Sequence, residues 1–157
     1  MKINKIKELI LATQEITLNE SMFVFETVMR VRYTEIDVGQ FLTMEAMCAL
    51  LTEAKARYFY SQGIKDVNAN YQGPIMTDLQ INFPTRIKAR EELLFEVGID
   101  GINQHTANMI FKVSRMYDGS LVAKAQANIV NFDYRKNQMT TFDDELMQAL
   151  YHEPFEI

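Results

Sequence analysis

VRYTEIDVGQFLTMEAMCALLTEAKARYF, residues 31–59, decides how the rest of the chain is read. Its second half sets Met44, Met47, Cys48, Leu51, Ala54 and Tyr58 on one helical stripe, and Leu50 and Phe59 widen that stripe until little polar face is left beyond Glu53, Lys55 and Arg57. This spacing predicts a nearly buried helix of about 19 residues, ~28 Å long, with Thr43 as its N-cap and Gly63 as its stop. Its first half continues an alternating run from residue 22. There Phe23, Phe25, Thr27, Met29, Val31 and Tyr33 share one face, and Glu26, Arg30 and Arg32 take the other. Such a period of two is a strand.

Downstream, after small and polar residues around 68–73, four further strands read as 75–83, 91–99, 106–117 and 120–134. Asp118-Gly119 and Asp100-Gly101 mark turns, and Pro84 closes the strand before it. Phe142, Leu146, Ala149 and Leu150 give a short helix over 142–151, expected over a sheet edge. Upstream, Ile3, Ile6, Leu9 and Ile10 at helical spacing predict an amphipathic helix over 2–15, within an extension of residues 1–20. It reads as packing on the body or as a dimer contact; its small basic face, diluted by Glu8 and Glu15, argues against a membrane-surface role. The whole is an α+β chain, 1–157, of one domain with its core in 22–134. In it an antiparallel sheet of about five strands wraps one long helix, with further helices at the N- and C-terminal ends.

A length of 157 residues suffices for a real core without staples. The net charge of −5 opposes attraction to phosphate backbones, so nucleic acid is excluded as a partner. No run approaches the ~18 apolar residues of a membrane span. A single cysteine, Cys48, forms no internal disulfide and reads as a packed hydrophobe on the helix, pointing to a reducing compartment, the cytoplasm. The two histidines, His105 and His152, are isolated, so no metal motif is present. Serine-elbow and nucleotide-loop motifs are missing among the six glycines.

Val31-Arg32-Tyr33, then Asp37, then Glu53-Ala54-Lys55 sixteen residues further on, resemble the signature of hotdog-fold thioesterases of the 4-hydroxybenzoyl-CoA thioesterase type. Residues 75–84, IMTDLQINFP, resemble that family's second strand, and Leu121-Val122-Ala123-Lys124-Ala125 its L-V-A-x-A strand. About 110 residues, from Phe23 to Tyr134, are covered. Where the family has Gly-His-x-Asn after the aspartate, this chain has Gln40-Phe41-Leu42-Thr43, with Gly39 displaced by one; its later Gly-Asp corresponds to Arg90-Glu91. The resemblance implies a hotdog fold and hydrolysis of an acyl-CoA or acyl-carrier-protein thioester, as in fatty acid metabolism. No cofactor is expected beyond the CoA of the substrate, and the resemblance implies a site in a cleft shared within a homodimer or homotetramer.

Thioester hydrolysis needs an activated water or a nucleophile at the carbonyl carbon and donors aimed at the developing oxyanion. Asp37, just before the long helix, is the candidate base or nucleophile; its bland alternative is an aspartate that only satisfies turn amides. Backbone N–H groups of Gln40, Phe41 and Leu42 are the candidate oxyanion donors, and a backbone donor survives the change of side chains. Glu53 is the second candidate base, since another hotdog branch carries its carboxylate on the helix, or it simply pairs with Arg57 at i,i+4. Arg86, Lys88 and Arg90 lie where hotdog enzymes receive the nucleotide phosphates of CoA, or else they form a solvated strand edge. Thr43, Met44 and Phe83 complete the expected substrate contacts, and the ten methionines suit an adaptable interior. A dehydratase would want a histidine near the helix start, where Phe41 and Met44 stand instead. The non-enzymatic alternative is a hotdog protein that binds an acyl group or a protein partner without turnover.

Overall fold

The computed structural model describes residues 15–153. The helix expected over 2–15 lies outside them but for Glu15. Among the described residues seven strands form a single antiparallel sheet: β1 (Phe23–Arg30), β2 (Gln72–Met76), β3 (Gln80–Asn82), β4 (Glu92–Ile102), β5 (Ala107–Arg115), β6 (Leu121–Asp133) and β7 (Gln138–Thr140). The order is β1-β4-β5-β6-β2, with β3 and β7 also paired to β6. Helix α1 (Met44–Ser61) packs against the sheet and α2 (Asp144–Leu150) follows β7.

Alternation decides what each sheet face holds. Leu93, Phe95, Val97 and Ile99 of β4, Met109, Phe111 and Val113 of β5, and Ala123, Ala125, Ala127 and Ile129 of β6 join Met47, Leu50, Leu51, Ala54, Tyr58 and Phe59 of α1 in one buried core. Fully burying one such large side chain contributes about 1.5–3 kcal/mol. On the opposite face stand Lys112 and Lys124, which pair with Glu20 and Glu15 at 2.7 and 2.9 Å. Lys124 also donates to the Ile16 carbonyl, and the Ile16 N–H donates to Asn82 Oδ1 at 2.6 Å. Residues 15–22 therefore run across the outer face of the sheet.

Several expectations need correction. Asp100-Gly101 does not turn the chain: both residues lie inside β4, at an irregularity between Ile99 and Ile102, and the reversal falls at residues 103–106, where Asn103 Oδ1 accepts the His105 and Thr106 N–H groups at 2.8 and 2.9 Å. The strand foreseen over 75–83 is two strands, because Asp78 turns its carboxylate on the Asn128 N–H (2.8 Å) and side-chain amide (3.0 Å) and interrupts the edge between β2 and β3. With β7, which was not foreseen, the strands number seven rather than about five. Helix α1 is less buried than its stripe suggested: a single sheet covers one side, leaving Glu45, Ala49, Thr52, Glu53, Ala56 and Tyr60 exposed and Cys48 half-buried. Helix α2 does not merely cover an edge, since Phe142, Leu146 and Leu150 are part of the main core.

The capping signals hold. Thr43 Oγ1 accepts the Ala46 N–H at 3.1 Å. Gly63 adopts φ +73°, and the next N–H, that of Ile64, returns to the Phe59 carbonyl at 3.0 Å, closing the helix with a left-handed residue. No helix of the described residues is long and apolar enough to cross a membrane.

Candidate active site

Between β1 and α1 the chain makes a closed loop whose two ends meet. After β1, a 3-10 turn (Tyr33–Glu35) buries Glu35, whose carboxylate accepts the Arg32 N–H at 2.7 Å and faces the Arg32 guanidinium at 3.3 Å. That hydrogen bond and charge hold the guanidinium above its usual pKa range. The Glu35 carbonyl accepts the Thr43 N–H at 3.1 Å, and Ile36 bridges Leu42. Helix entry and strand exit are thereby pinned together, and residues 37–41 project as the tip.

Asp37 organises that tip. Its N–H donates to the Phe41 carbonyl and its carbonyl accepts the Gln40 N–H, both at 2.9 Å, and its Oδ1 accepts the Phe41 N–H at 3.1 Å. Gln40, rather than Gly39, takes the left-handed conformation, with φ +68°. One carboxylate oxygen thus satisfies the turn; the residue is exposed, and Oδ2 faces solvent without a partner among the described residues.

The same accounting bears on the candidate oxyanion donors. The Gln40 N–H is committed to Asp37, the Phe41 N–H to the Asp37 carboxylate, and the Leu42 N–H to the Ile87 carbonyl at 2.7 Å. Thr43 takes the Ala46 N–H with its side chain and the Met47 N–H (3.0 Å) with its carbonyl. A helix leaves its first amides without intrahelical acceptors, and those of Met44 and Glu45 have none among the described residues. The free donors therefore sit two and three residues beyond Leu42.

The basic segment reaches this loop by backbone pairing. Phe41 bridges Lys88, the Arg90 N–H donates to the Val31 carbonyl at 2.7 Å, and the Val31 N–H donates to the Glu91 carbonyl at 2.9 Å. The Arg86 guanidinium lies 5.1 Å from the Phe41 ring centre, and that of Arg90 lies 5.2 Å from the Tyr33 ring centre. Such stacking leaves the positive charge unneutralised, and Arg86, Lys88 and Arg90 form no ion pair among the described residues. They line a groove of about 760 Å³ with Arg115, Met116 and Tyr117 and with three carboxylates, Glu91, Glu92 and Asp118, the first two of which pair with Arg115 and Arg30. Arg115, which sequence reasoning passed over, donates to Glu91 and to the Arg86 carbonyl, both at 2.9 Å, and so fixes this segment. Its only signal was its place at the base of the hairpin turned by Asp118-Gly119.

The remaining candidates are spread more widely. Met44 is exposed at the start of α1, next to Thr43. Phe83 is half-buried against the core just past β3. Glu53 lies nine residues beyond Met44, ~14 Å along the axis, and pairs with Arg57 at 3.0 Å. Arg57 in turn donates to Thr27 Oγ1 at 2.7 Å, tying α1 to β1. The structure brings together Asp37, the helix start and the basic segment, and sets Glu53 apart from them on the open side of α1.

Solved structures share this architecture. A 1,4-dihydroxy-2-naphthoyl-CoA thioesterase from Synechocystis superposes with a TM-score of 0.73 at 15% identity, over 80% of this chain and 94% of that one. A Staphylococcus aureus protein solved in complex with CoA gives 0.75 at 11% identity, over 82% of each chain. A 12:0-ACP thioesterase from Umbellularia californica gives 0.71 at 14% identity, over 83% of this chain and 51% of that one. At such identities the likeness is one of fold, the hotdog fold. No curated protein matches the chain in sequence. The thioesterase-like superfamily matches residues 31–150, a span that holds the Asp37 loop, the whole of α1 and the basic segment, and the chain belongs to that superfamily.

Proposed function

We propose that this protein hydrolyses an acyl-CoA thioester, as an enzyme of the 4-hydroxybenzoyl-CoA thioesterase type with Asp37 as its base or nucleophile. The observation that carries the reading is the pairing of Phe41 with Lys88 and of Leu42 with Ile87, which sets a solvent-facing carboxylate beside three cations without carboxylate partners. In this reading Arg86, Lys88 and Arg90 meet the nucleotide phosphates. Asp37 Oδ2 takes a proton from the water that attacks the thioester carbon, or attacks that carbon itself. The Met44 and Glu45 N–H groups receive the oxyanion, with Thr43 and Met44 against the acyl group. One such donor is worth about 3–4 kcal/mol of barrier. On the general-base route the thiolate leaves with the proton that Asp37 took from water; on the nucleophilic route it leaves as thiolate and is protonated by solvent, and water then hydrolyses the Asp37–acyl anhydride to free the acid and restore the carboxylate.

The open stripe of α1, with Tyr60 86% exposed, supports assembly as a homodimer or homotetramer that covers it. A cytoplasmic location fits the single, unpaired cysteine. An acyl-carrier-protein thioester is the alternative substrate. Internal satisfaction of the Gln40, Phe41 and Leu42 amides favours a second reading, a protein that binds an acyl group or a partner without turnover.

Thiol release from short, medium, long and aromatic acyl-CoAs tests these readings at matched folding and assembly. The expected result is turnover by the wild type that falls by about 10²-fold or more in Asp37→Ala and little in Glu53→Ala. Loss confined to Glu53→Ala moves the chemistry onto α1. No release from any acyl-CoA or acyl-carrier thioester leaves the binding protein standing.

A further inference from the structure

At the far end of α1, some 27 Å along its axis from the Asp37 loop, a cavity of about 250 Å³ opens between residues 63–70, the start of β2, β6 and the segment entering α2. Its floor contains Asn131, which occupies an inward position of β6 where 123, 125, 127 and 129 are all apolar, and is 1% exposed. A buried amide costs free energy unless each of its groups is used.

The polarity of this amide is fixed from both ends. The Thr141 carbonyl accepts only, so the group 3.0 Å from it is the Asn131 NH₂. The other hydrogen of that NH₂ goes to Gln72 Oε1 at 3.2 Å, and Gln72 Nε2 faces Asp133 Oδ2 at 3.4 Å. Hydrogen bonds from the Lys136 and Arg135 backbone hold the Asp133 carboxyl below its usual range, so it stays an acceptor. Asn131 Oδ1 is left with no donor. Because no sealed side-chain oxygen or nitrogen among the described residues lacks a partner, that oxygen opens onto the cavity Asn131 lines.

The walls are of opposite character. On one side stand Lys65, exposed, and Asn68, whose Oδ1 already takes the Asn70 and Gln72 N–H groups at 2.9 and 3.0 Å, leaving its NH₂ to donate. On the other are Glu145, exposed, and Asp143, whose Oδ1 caps the Leu146 N–H at 2.8 Å, leaving Oδ2. At about 250 Å³ the space lies just below the ~300–1,000 Å³ of drug-sized sites, which suits a small ligand. A dianion would be opposed by the two carboxylates, and a nucleotide is too large.

We propose that this cavity binds a small zwitterion of the α-amino-acid class, its ammonium group on Asn131 Oδ1 and the acidic wall, its carboxylate toward Lys65 and the Asn68 amide. The site does not depend on the thioesterase reading.

Isothermal titration of the full chain with glycine, L-serine, L-threonine and L-aspartate tests it. Saturable one-to-one binding of at least one is expected, weakened by about tenfold in Lys65→Ala and again in Glu145→Ala, and by more in Asn131→Ser. The matching amine without its carboxylate, and the matching 2-hydroxy acid without its ammonium group, should each bind about tenfold more weakly. Lys65 and Glu145 make no hydrogen bond or ion pair among the described residues, so their variants report on the site even if Asn131→Ser fails to fold. Absence of binding by all four probes overturns the proposal, as does binding that both surface variants leave at wild-type strength.

Discussion

Gly73 and Gly63 flank the same loop, and alanine at each is expected to cost stability for different reasons and by different amounts. A Cβ on Gly73 would fall 1.7 Å from the Asp66 carbonyl oxygen and 2.7 Å from its carbon. An ordinary carbon–oxygen contact is at least ~3.3 Å, so the Asp66 backbone must retreat by roughly 1.5 Å. That displacement strains a set of bonds that closes the loop onto β2: Asn68 N–H to the Gln72 carbonyl (2.8 Å), Tyr71 N–H to the Asn68 carbonyl (3.0 Å), and the two amides held by Asn68 Oδ1. At about 0.5–1.5 kcal/mol net for each of these, with part recovered from water, the loss is about 3 kcal/mol. A Cβ on Gly63 meets nothing within 4 Å, and the only penalty is that of an L residue at φ +73°, about 1 kcal/mol. With a urea m-value of ~2 kcal/mol/M, the midpoints should fall by about 1.5 M for Gly73→Ala and about 0.5 M for Gly63→Ala, with m unchanged. Equal shifts in the two variants, or a Gly73→Ala midpoint within about 0.3 M of wild type, would show that the Asp66 backbone does not lie over the strand and refute the argument.

Burial pushes the Tyr58 hydroxyl up to about 12 from 10.0. Its stabilisation is therefore whole below pH 10 and is lost between pH 10 and 12, where the unfolded chain releases the proton and the folded chain keeps it, at no more than about 1.4 kcal/mol per pH unit. Tyr58→Phe forgoes the 2.9 Å bond to His152 and should flatten this alkaline decline in melting temperature; a decline of the same steepness in the variant would assign it to other groups. Arg86→Ala combined with Arg90→Ala is expected to raise KM for an acyl-CoA by about tenfold, increasingly so at low salt, with little change in kcat. The same rise for an acyl-pantetheine, which carries no nucleotide phosphates, would count against the phosphate role.

What the sequence made legible is what depends on near neighbours. The stripe of α1, its Thr43 cap and its Gly63 stop are matters of spacing within a few turns. The Asp118-Gly119 turn likewise stands, with Gly119 at φ +73° and the Asp118 carboxylate bonded to Ser120. The split between β2 and β3 was not legible, because it depends on Asp78 replacing a ladder acceptor for Asn128, fifty residues away. Nor was the extent of α1 burial: periodicity says which side chains can face a core, while coverage depends on how far one sheet curls. The residue types of the candidate site were visible, but the assignment of its N–H groups was not. Whether a backbone amide is free depends on where every nearby carbonyl lies, and the Ile87 carbonyl that takes the Leu42 N–H is distant in sequence.

The backbone conformation of the site makes the same point from the opposite direction. Local rules place a left-handed residue at glycine, and so would choose Gly39 in the tip of the loop. The chain instead holds Gln40 at φ +68° and, across the bridge on the basic segment, Arg90 at φ +73°. Each conformation costs on the order of 1 kcal/mol in a residue with a Cβ, and it persists only where surrounding bonds leave no cheaper path. Those bonds are present: the Gln40 N–H is tied to the Asp37 carbonyl, the Arg90 N–H to the Val31 carbonyl, and Phe41 bridges Lys88 between them. The two strained residues thus lie on segments joined by the Phe41–Lys88 bridge. The bond from the Phe41 N–H holds Oδ1 of Asp37 in the turn and leaves Oδ2 outside it. A rigid tip suits the role proposed for Asp37, a base aimed at a bound thioester.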